Sequence, residues 1–553
     1  MKTTHRKGVS RCRPLWRFLL LILSSMILSI PSLVPARWVR NFKKSLAITC
    51  PLYQIRFMPE AVKLVRIPSL KTVADFRNHI ASLGIDLPCE DEIAPAPTSP
   101  LDRPVENLRI NGKTIGNRYA VQPMEGWDGT TTGAPTEEVT RRWQRFGESG
   151  AKLIFGGEAM AVRPDGRANP NQLIINQQNK AGLARLRETL LSAHKERYGS
   201  ADDLVIGFQL THSGRFCKPT DKFRLEPRVA YRHPILDRKF NVTSDNQVWT
   251  DAEIDELIQV YIQAARVGAD AGADFVDIKH CHGYLLHEFL GAFTRPGKYG
   301  GAFENRTRIL REIVDGIRAS GNKIEIAVRL SAFDFVPFKP DPAMSQPGRP
   351  GPGIPEDFSN CLPYRYGFGV NQQNPVEYDL TEPLRFLELC SELGVKLVNL
   401  SAGSPYYNPH IQRPAAYPPS DGYQPPEDPL VGVARQVNVV RQLKAQAPKD
   451  MVLIGTGYSY LQEFLPHLAQ FVLRDNWVDI IGLGRMMLSY PTILDDALQT
   501  RPLSTKHICR TFSDCTTAPR NGLISGCYPL DKFYTAKPES QKLKEIKKAA
   551  QQA

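Results

Sequence analysis

The sequence predicts an α/β protein built as a closed (β/α)8 barrel, with an N-terminal hairpin and long loops on one face. Three observations predict it. Eight short apolar runs recur along the chain: Tyr119–Val121, Lys152–Phe155, Leu204–Phe208, Phe275–Ile278, Ile324–Leu330, Val395–Leu400, Val452–Ile454 and Val478–Ile481. Helix-patterned stretches such as Asp251–Val267, Asn305–Ser320 and Leu380–Leu393 lie between them. The runs are nearly continuous in apolar residues rather than alternating, as strands of a parallel sheet covered on both faces are. Eight such strand–helix alternations close into a TIM barrel. An open doubly wound sheet is the competing arrangement.

Residues 1–57 form a basic, apolar leader. Lys2, Arg6, Lys7, Arg11, Arg13 and Arg17 precede an uncharged run from Phe18 to Ala36, and Arg37, Arg40, Lys43 and Lys44 follow it. That is the layout of a signal sequence or a membrane anchor, although positive flanks on both sides orient it poorly. A translation start at Met58 would instead place the leader outside the protein. Residues 58–104 are a lead-in and linker, with Leu87–Pro104 reading as loop. Leu108–Ile115 carries Asn111-Gly112, the turn of a tight hairpin. The barrel is assigned to residues 105–500. Two Pro-rich segments, Phe335–Pro375 and Pro405–Pro429, each follow a strand and so fall on the catalytic face, as substrate lids or as decoration. Residues 501–553 form a C-terminal extension, whose Lys- and Gln-rich end, Lys537–Ala553, reads as a solvated helix.

Composition narrows the function. Hydrophobic residues make up 42% and charged residues 23% of the 553 residues, enough for a large core in a globular protein. The net charge of +13 suggests nucleic acid, but eleven lysines and arginines and no acids lie in residues 1–57. The remainder carries only about +2, so no nucleic-acid partner is expected. Ten scattered cysteines are too dilute for a disulfide scaffold and fit a reducing compartment, which favours the cytoplasm. Tethering or export through residues 18–36 is the alternative.

The residues that carry chemistry fall where barrel strands end. They are Gln122-Pro-Met-Glu-Gly-Trp127, Gly156-Gly-Glu-Ala159, Gln209-Leu-Thr-His-Ser-Gly-Arg215, Lys279-His-Cys-His-Gly-Tyr284, Arg329, Gly455-Thr-Gly457 and Gly482-Leu-Gly-Arg485. The turns after the last two strands, Thr456-Gly457 and Gly484-Arg485, suit a phosphate, since glycines admit backbone N–H groups and an arginine can fork onto oxygens. Arg329 ends an apolar strand, where an unpaired cation is costly, so it needs an anionic or dipolar partner.

Together these segments resemble the old yellow enzyme family of FMN-dependent reductases, which includes the barrel domain of 2,4-dienoyl-CoA reductase. The resemblance runs from about Val105 to Pro491. It is strongest over Val276–Leu290, followed by Gly300-Gly-Ala-Phe-Glu-Asn-Arg-Thr-Arg308. It implies FMN, with Gln209 and Arg329 at the pyrimidine edge and backbone groups of Pro123, Met124 and Ala159 along the ring. Thr456, Gly457, Gly484 and Arg485 would take the phosphate. A fixed cation near N1 and the C2 carbonyl favours the reduced, negative flavin.

The resemblance also implies that His282 and the residue at position 279 hold the oxygen of a small-molecule acceptor while Tyr284 donates a proton. The expected reaction is reduction of an activated C=C, such as an α,β-unsaturated carbonyl, with NAD(P)H as reductant. A separate redox partner could also supply the electrons, because no further dinucleotide motif follows the barrel.

Two positions depart from the family pattern. Lys279 stands where the family usually has His; it can still donate to an oxyanion, pair with an acid, or form an imine. Glu125 stands where Thr or Cys is common, and a carboxylate beside N5 disfavours flavin reduction unless it is protonated or turned away. Trp127 either stacks over the site or fills core, with core favoured; His212 reads as a structural histidine ahead of one that orients the flavin or a lid; and Tyr406 and Tyr407 read as pocket lining. Larger relatives carry a four-cysteine iron–sulfur site after the barrel. Here Cys509-x5-Cys515-x11-Cys527 has three cysteines, so a degenerate remnant without a cluster is expected, and no other metal site. Two further readings stand beside this one: an FMN-free phosphate-binding lyase or isomerase using Lys279, and a catalytically inert, tethered barrel.

Overall fold

The computed structural model describes residues 64–552, so the leader expected over residues 1–57 lies outside the described residues. The hairpin comes first: β1 (Val105–Ile110) pairs antiparallel with β2 (Lys113–Ile115). Asn111 and Gly112 connect them at φ 51° and 76°, the left-handed pair that a two-residue turn requires.

Eight parallel strand positions then close a ring. They are β3 (Tyr119–Val121), the broken strand β4 (Leu153–Ile154) and β5 (Ala159–Ala161), β6 (Val205–Thr211), β7 (Phe275–His280) and β8 (Glu325–Ser331). A small hairpin, β9 (Phe338–Pro340) and β10 (Gly353–Pro355), lies off the barrel. The ring resumes with β11 (Leu397–Ser401), β12 (Val452–Gly455) and β13 (Ile480–Leu483). It closes because β13 pairs with β3, and both β4 and β5 pair with β6. Each predicted run thus overlaps a barrel strand, and six of the eight strands extend past the run's C-terminal end.

The strand breaks at Gly156 and Gly157, whose φ values are 91° and 56°. A Cβ on Gly157 would sit 2.5 Å from the Trp143 ring, so the bend demands glycine. Inside the ring, Ala120, Leu153, Phe155, Val205, Phe275, Ala327, Leu397, Val452, Ile454 and Ile480 form one cluster. Val105, Leu108, Ile110 and Ile115 of the hairpin join that cluster and stopper one end of the barrel. Only the end where the strands finish is left for a site.

The helices follow from capping and periodicity. Asp251–Asp270 starts on a capping box: the Glu253 N–H donates to Thr250 Oγ1 at 3.3 Å and the Thr250 N–H to Glu253 Oε2 at 2.8 Å. It buries Ile254, Leu257, Ile258, Tyr261 and Ala265 on one face. Arg308–Ala319 buries Ile309, Leu310, Ile313, Val314 and Ile317 in the same manner. Each large aliphatic side chain so buried contributes roughly 1.5–3 kcal/mol. Ahead of the barrel, helix Val73–Leu83 stacks Phe76 on Phe464 with ring centroids 4.4 Å apart.

The Pro-rich segments separate in role. No residue of Phe335–Pro375 lines the main cavity, which favours decoration over a substrate lid for this segment. It braces the second segment: the Phe338 N–H donates to the Tyr407 carbonyl at 2.8 Å and the Gly353 N–H to the Gln424 carbonyl at 3.0 Å. The terminal helix Pro538–Gln552 is mostly exposed, but it buries Leu543 against Ala518, Tyr528 and Tyr534. Among the described residues no helix is long and apolar enough to cross a membrane.

Candidate active site

A cavity of about 230 Å³ opens where the barrel strands end. The residues assigned from sequence to catalysis and to the cofactor all line it: Pro123, Met124, Glu125, Ala159, Gln209, Lys279, His282, Tyr284, Arg329, Thr456, Gly457, Gly484 and Arg485.

One wall is built from β6, β7 and β8. Gln209 Nε2 donates to Asp277 Oδ2 at 2.5 Å, and the Arg329 N–H donates to Asp277 Oδ1 at 2.7 Å. Asp277 is fully buried, and burial pushes its carboxyl up to about 7, against the lowering effect of those two hydrogen bonds. The Arg329 guanidinium donates from Nη1 to the Pro123 carbonyl at 3.3 Å, while its Nε is buried without a partner among the described residues. Gln122, quoted in the sequence but given no role, belongs here too. Its Oε1 accepts from Asn399 Nδ2 at 2.6 Å and its Nε2 donates to the Gly455 carbonyl at 3.4 Å.

A second wall is made by the turns after β12 and β13. Gly457 has φ 95°. Gly484 leaves open room, since the nearest atom to a Cβ there would be Met124 Sδ at 3.7 Å. Arg485 donates from Nη2 to the Pro414 carbonyl at 2.9 Å, and its Nη1 is buried without a partner among the described residues.

A third wall is one polar network around Glu125. Lys279 Nζ donates to Glu125 Oε1 at 2.7 Å, and Tyr284 Oη and Trp127 Nε1 donate to Oε2 at 2.8 and 2.9 Å. Lys279 Nζ also lies 3.5 Å from the centroid of the Tyr284 ring. Tyr284 and Tyr406 hydroxyls are 2.9 Å apart. Burial, then the charge of Glu125, raises the Tyr284 phenol well above its ordinary value. His282, at φ 67°, sets its Nε2 2.8 Å from Ser401 Oγ. Burial, then the Arg329 and Lys279 charges, pushes its imidazole well down, so it stands neutral.

Several sequence readings change. Trp127 lines the cavity and bonds Glu125, so it is not core filling. Tyr406 lines the cavity, whereas Tyr407 turns away and donates to Asp334 Oδ2 at 2.5 Å. His212 is buried off the cavity, with Nδ1 accepting from the Gly214 N–H at 3.1 Å. The C-terminal extension contributes Cys515, Thr516, Arg520 and Ser525 to the cavity, which no periodicity or motif announced. Cys509 is buried beside Met486. Among the described residues no group of three or more His, Cys, Asp or Glu side chains could hold a metal ion.

The residues present fit FMN. The buried Arg329 and the half-buried Arg485 each keep a solvent-shielded nitrogen without a hydrogen-bond partner among the described residues, and an open glycine turn lies beside the second. Fold and site together define an oxidoreductase barrel of the flavin type.

The comparisons agree. The model of the NADH:flavin oxidoreductase / NADH oxidase family matches residues 105–345. NADH:flavin oxidoreductase FG08077 of Gibberella zeae is 24% identical over 424 residues, 74% of this chain and 88% of the relative. NADPH dehydrogenase of Bacillus subtilis is 34% identical over 237 residues, 41% of this chain and 63% of the relative, so that match spans under two thirds of the bacterial protein. Among solved structures, a 2-naphthoyl-CoA reductase in complex with 2-naphthoyl-CoA superposes with a TM-score of 0.56 at 17% identity, covering 80% of this chain and 58% of that one; this likeness shows the fold. Over residues 105–345 the chain matches the NADH:flavin oxidoreductase / old yellow enzyme family, as a distant homologue of its members.

Proposed function

We propose that the protein binds FMN in this cavity and uses NAD(P)H to reduce an activated C=C, such as that of an α,β-unsaturated carbonyl. The observation that carries the reading is Arg329, a buried cation with an unbonded Nε at the end of an inner barrel strand. A guanidinium is retained in such a place when a ligand completes its hydrogen bonding. Bound there, FMN supplies hydride transfer between NAD(P)H and the acceptor.

The chain's own residues do the rest. Gln209 and Arg329 hold the pyrimidine edge, and the Arg329 charge offsets negative charge placed beside it. Thr456, Gly457, Gly484 and Arg485 hold the phosphate. His282, neutral and fixed by Ser401, donates a ring N–H to the acceptor's oxygen, and Lys279 adds an ammonium proton beside it. Tyr284 supplies the proton that completes saturation of the C=C bond. Glu125 is turned onto Lys279, Tyr284 and Trp127, an engaged state that answers the objection to a carboxylate at this position.

The imine-forming alternative fits less well. The Lys279 nitrogen is taken up by Glu125 and faces the Tyr284 ring, and an imine-forming lysine would have to give up both. The test is an absorption spectrum of the purified protein followed by anaerobic NADH or NADPH. A flavin spectrum that bleaches, then recovers with an enone, is expected. Colourless protein that takes up no added FMN would overturn the reading.

A further inference from the structure

Three guanidinium groups, Arg413, Arg485 and Arg520, line the same cavity, and they are not equally engaged. Arg520 is ion-paired with Asp421 and donates to the Pro405 carbonyl at 3.0 Å. Arg485 faces the glycine turn given above to the cofactor phosphate. Arg413 has no acidic partner among the described residues. Its Nη1 donates to Thr516 Oγ1 at 2.5 Å, and its Nη2 is shielded from solvent without a partner among the described residues. Burial, then the charges of Arg520 and Arg485, pushes the Arg413 guanidinium down to about 9. A cation under that pressure, with a donor unspent, is a receptor for an anion.

Its neighbours place it on the acceptor side. Gln412, the preceding residue, sets its Nε2 3.4 Å from His282 Nε2. The Arg520 guanidinium lies 5.5 Å from the centroid of the Tyr406 ring, and the Tyr406 hydroxyl is bonded to Tyr284. The cluster therefore adjoins the residues that hold the acceptor's oxygen and give it a proton. With Arg520 paired to Asp421 and Arg485 given to the cofactor phosphate, Arg413 is the one positive charge of the three left over, which matches a monoanion.

We propose that Arg413, steadied by Thr516 of the C-terminal extension, is a carboxylate subsite for the acceptor. The substrate is an activated alkene that carries a carboxylate, with its oxygen toward His282 and its acid group on Arg413. This rests on the ene-reducing function proposed above. It also gives the C-terminal extension a role as a specificity wall.

The test uses the holoprotein with 3-benzoylacrylate and its uncharged partner 3-benzoylacrylamide. Calorimetric binding of the saturated acid 3-benzoylpropionate is measured in parallel, which needs no turnover. The acid is expected to show a KM at least about tenfold below that of the amide. Arg413→Leu should raise the acid's KM at least about tenfold and move the amide's within about twofold, while Arg413→Lys recovers part of the loss. Thr516→Val should give a smaller shift of the same kind, and serves if Arg413→Leu does not fold by its melting curve. Equal losses for acid and amide overturn the proposal. So does a loss confined to FMN retention, which would make Arg413 a cofactor ligand, or one confined to NADPH, which would assign it to the dinucleotide. If the protein takes up no FMN, the ene-reductase reading fails by itself. Binding of 3-benzoylpropionate that Arg413→Leu abolishes would then still support the subsite, and absence of binding would sink it.

Discussion

The Lys279 ammonium and the Glu125 carboxylate, 154 residues apart in sequence, meet at 2.7 Å in the wall of the cavity. Both side chains are largely withdrawn from water, at 4% and 10% exposure. Removing one partner of such a pair strands the other, at a cost of about 3 kcal/mol, while replacing both is far cheaper. Glu125→Gln and Lys279→Met should each lower the urea midpoint, and the double variant should recover much of the loss. If the two single losses simply add in the double variant, the pair is not coupled.

Tyr284 lies at the meeting point of Glu125 and Tyr406, with its phenol raised well above the ordinary value. A neutral phenol can donate a proton across the working range of pH. Tyr284→Phe keeps the ring under the Lys279 ammonium and removes the hydroxyl, together with its hydrogen bonds to Glu125 and Tyr406. Stopped-flow absorbance should show flavin reduction by NAD(P)H little changed and reoxidation by 2-cyclohexenone slowed by about 100-fold. Unchanged reoxidation would remove Tyr284 from the proton-donating role.

The barrel was legible because its strands are buried on both faces and therefore read as apolar runs. The positions of Gln209, Lys279, His282, Tyr284 and Arg329 followed from where those runs end. The pairing of Glu125 with Lys279 was not legible in the same way. Each stood as a separate departure from the family pattern, yet the two have opposite charge and fall at the same mouth. That coincidence was the available signal for a compensating pair. Trp127 was misplaced because an aromatic next to an apolar strand is usually core, and only its indole N–H on Glu125 reveals otherwise. Arg413, Thr516 and Arg520 lie on irregular segments, whose positions are set by long-range contacts such as Arg520 with Asp421 and by no local period.

Asp277 carries a pH signature that can be read directly. Its carboxyl is pushed up to about 7 in the folded protein from an ordinary value of 3.8. Between those values the folded state holds a proton that the unfolded chain has released, so stability falls as pH rises through that window. Below about pH 4 both states are protonated and the penalty disappears. Asp277→Asn has no proton to lose, and rotation of the Gln209 amide lets its oxygen accept from the new Asn amide. Across pH 4–7 the midpoint of the variant should decline less than that of the parent protein. Glu158 and Asp334 are also raised, to about 7 and about 6, but they contribute equally to both proteins and cancel in the difference. Parallel pH profiles would mean that Asp277 titrates no differently in the folded state.

Arg485 separates recognition of the phosphate from recognition of the ring. Its Nη2 is spent on the Pro414 carbonyl, and its Nη1 is buried with no partner among the described residues beside the open turn at Gly484. A charge-assisted hydrogen bond to a phosphate oxygen contributes about 1.5–3 kcal/mol. Arg485→Ala should therefore raise the dissociation constant for FMN by about 10- to 100-fold. Riboflavin, which lacks the phosphate, should bind the variant and the parent protein with nearly equal affinity. Quenching of flavin fluorescence on titration with the apoprotein measures both. Equal losses for the two ligands would mean that Arg485 acts by holding the Pro414 segment in place and does not touch the phosphate.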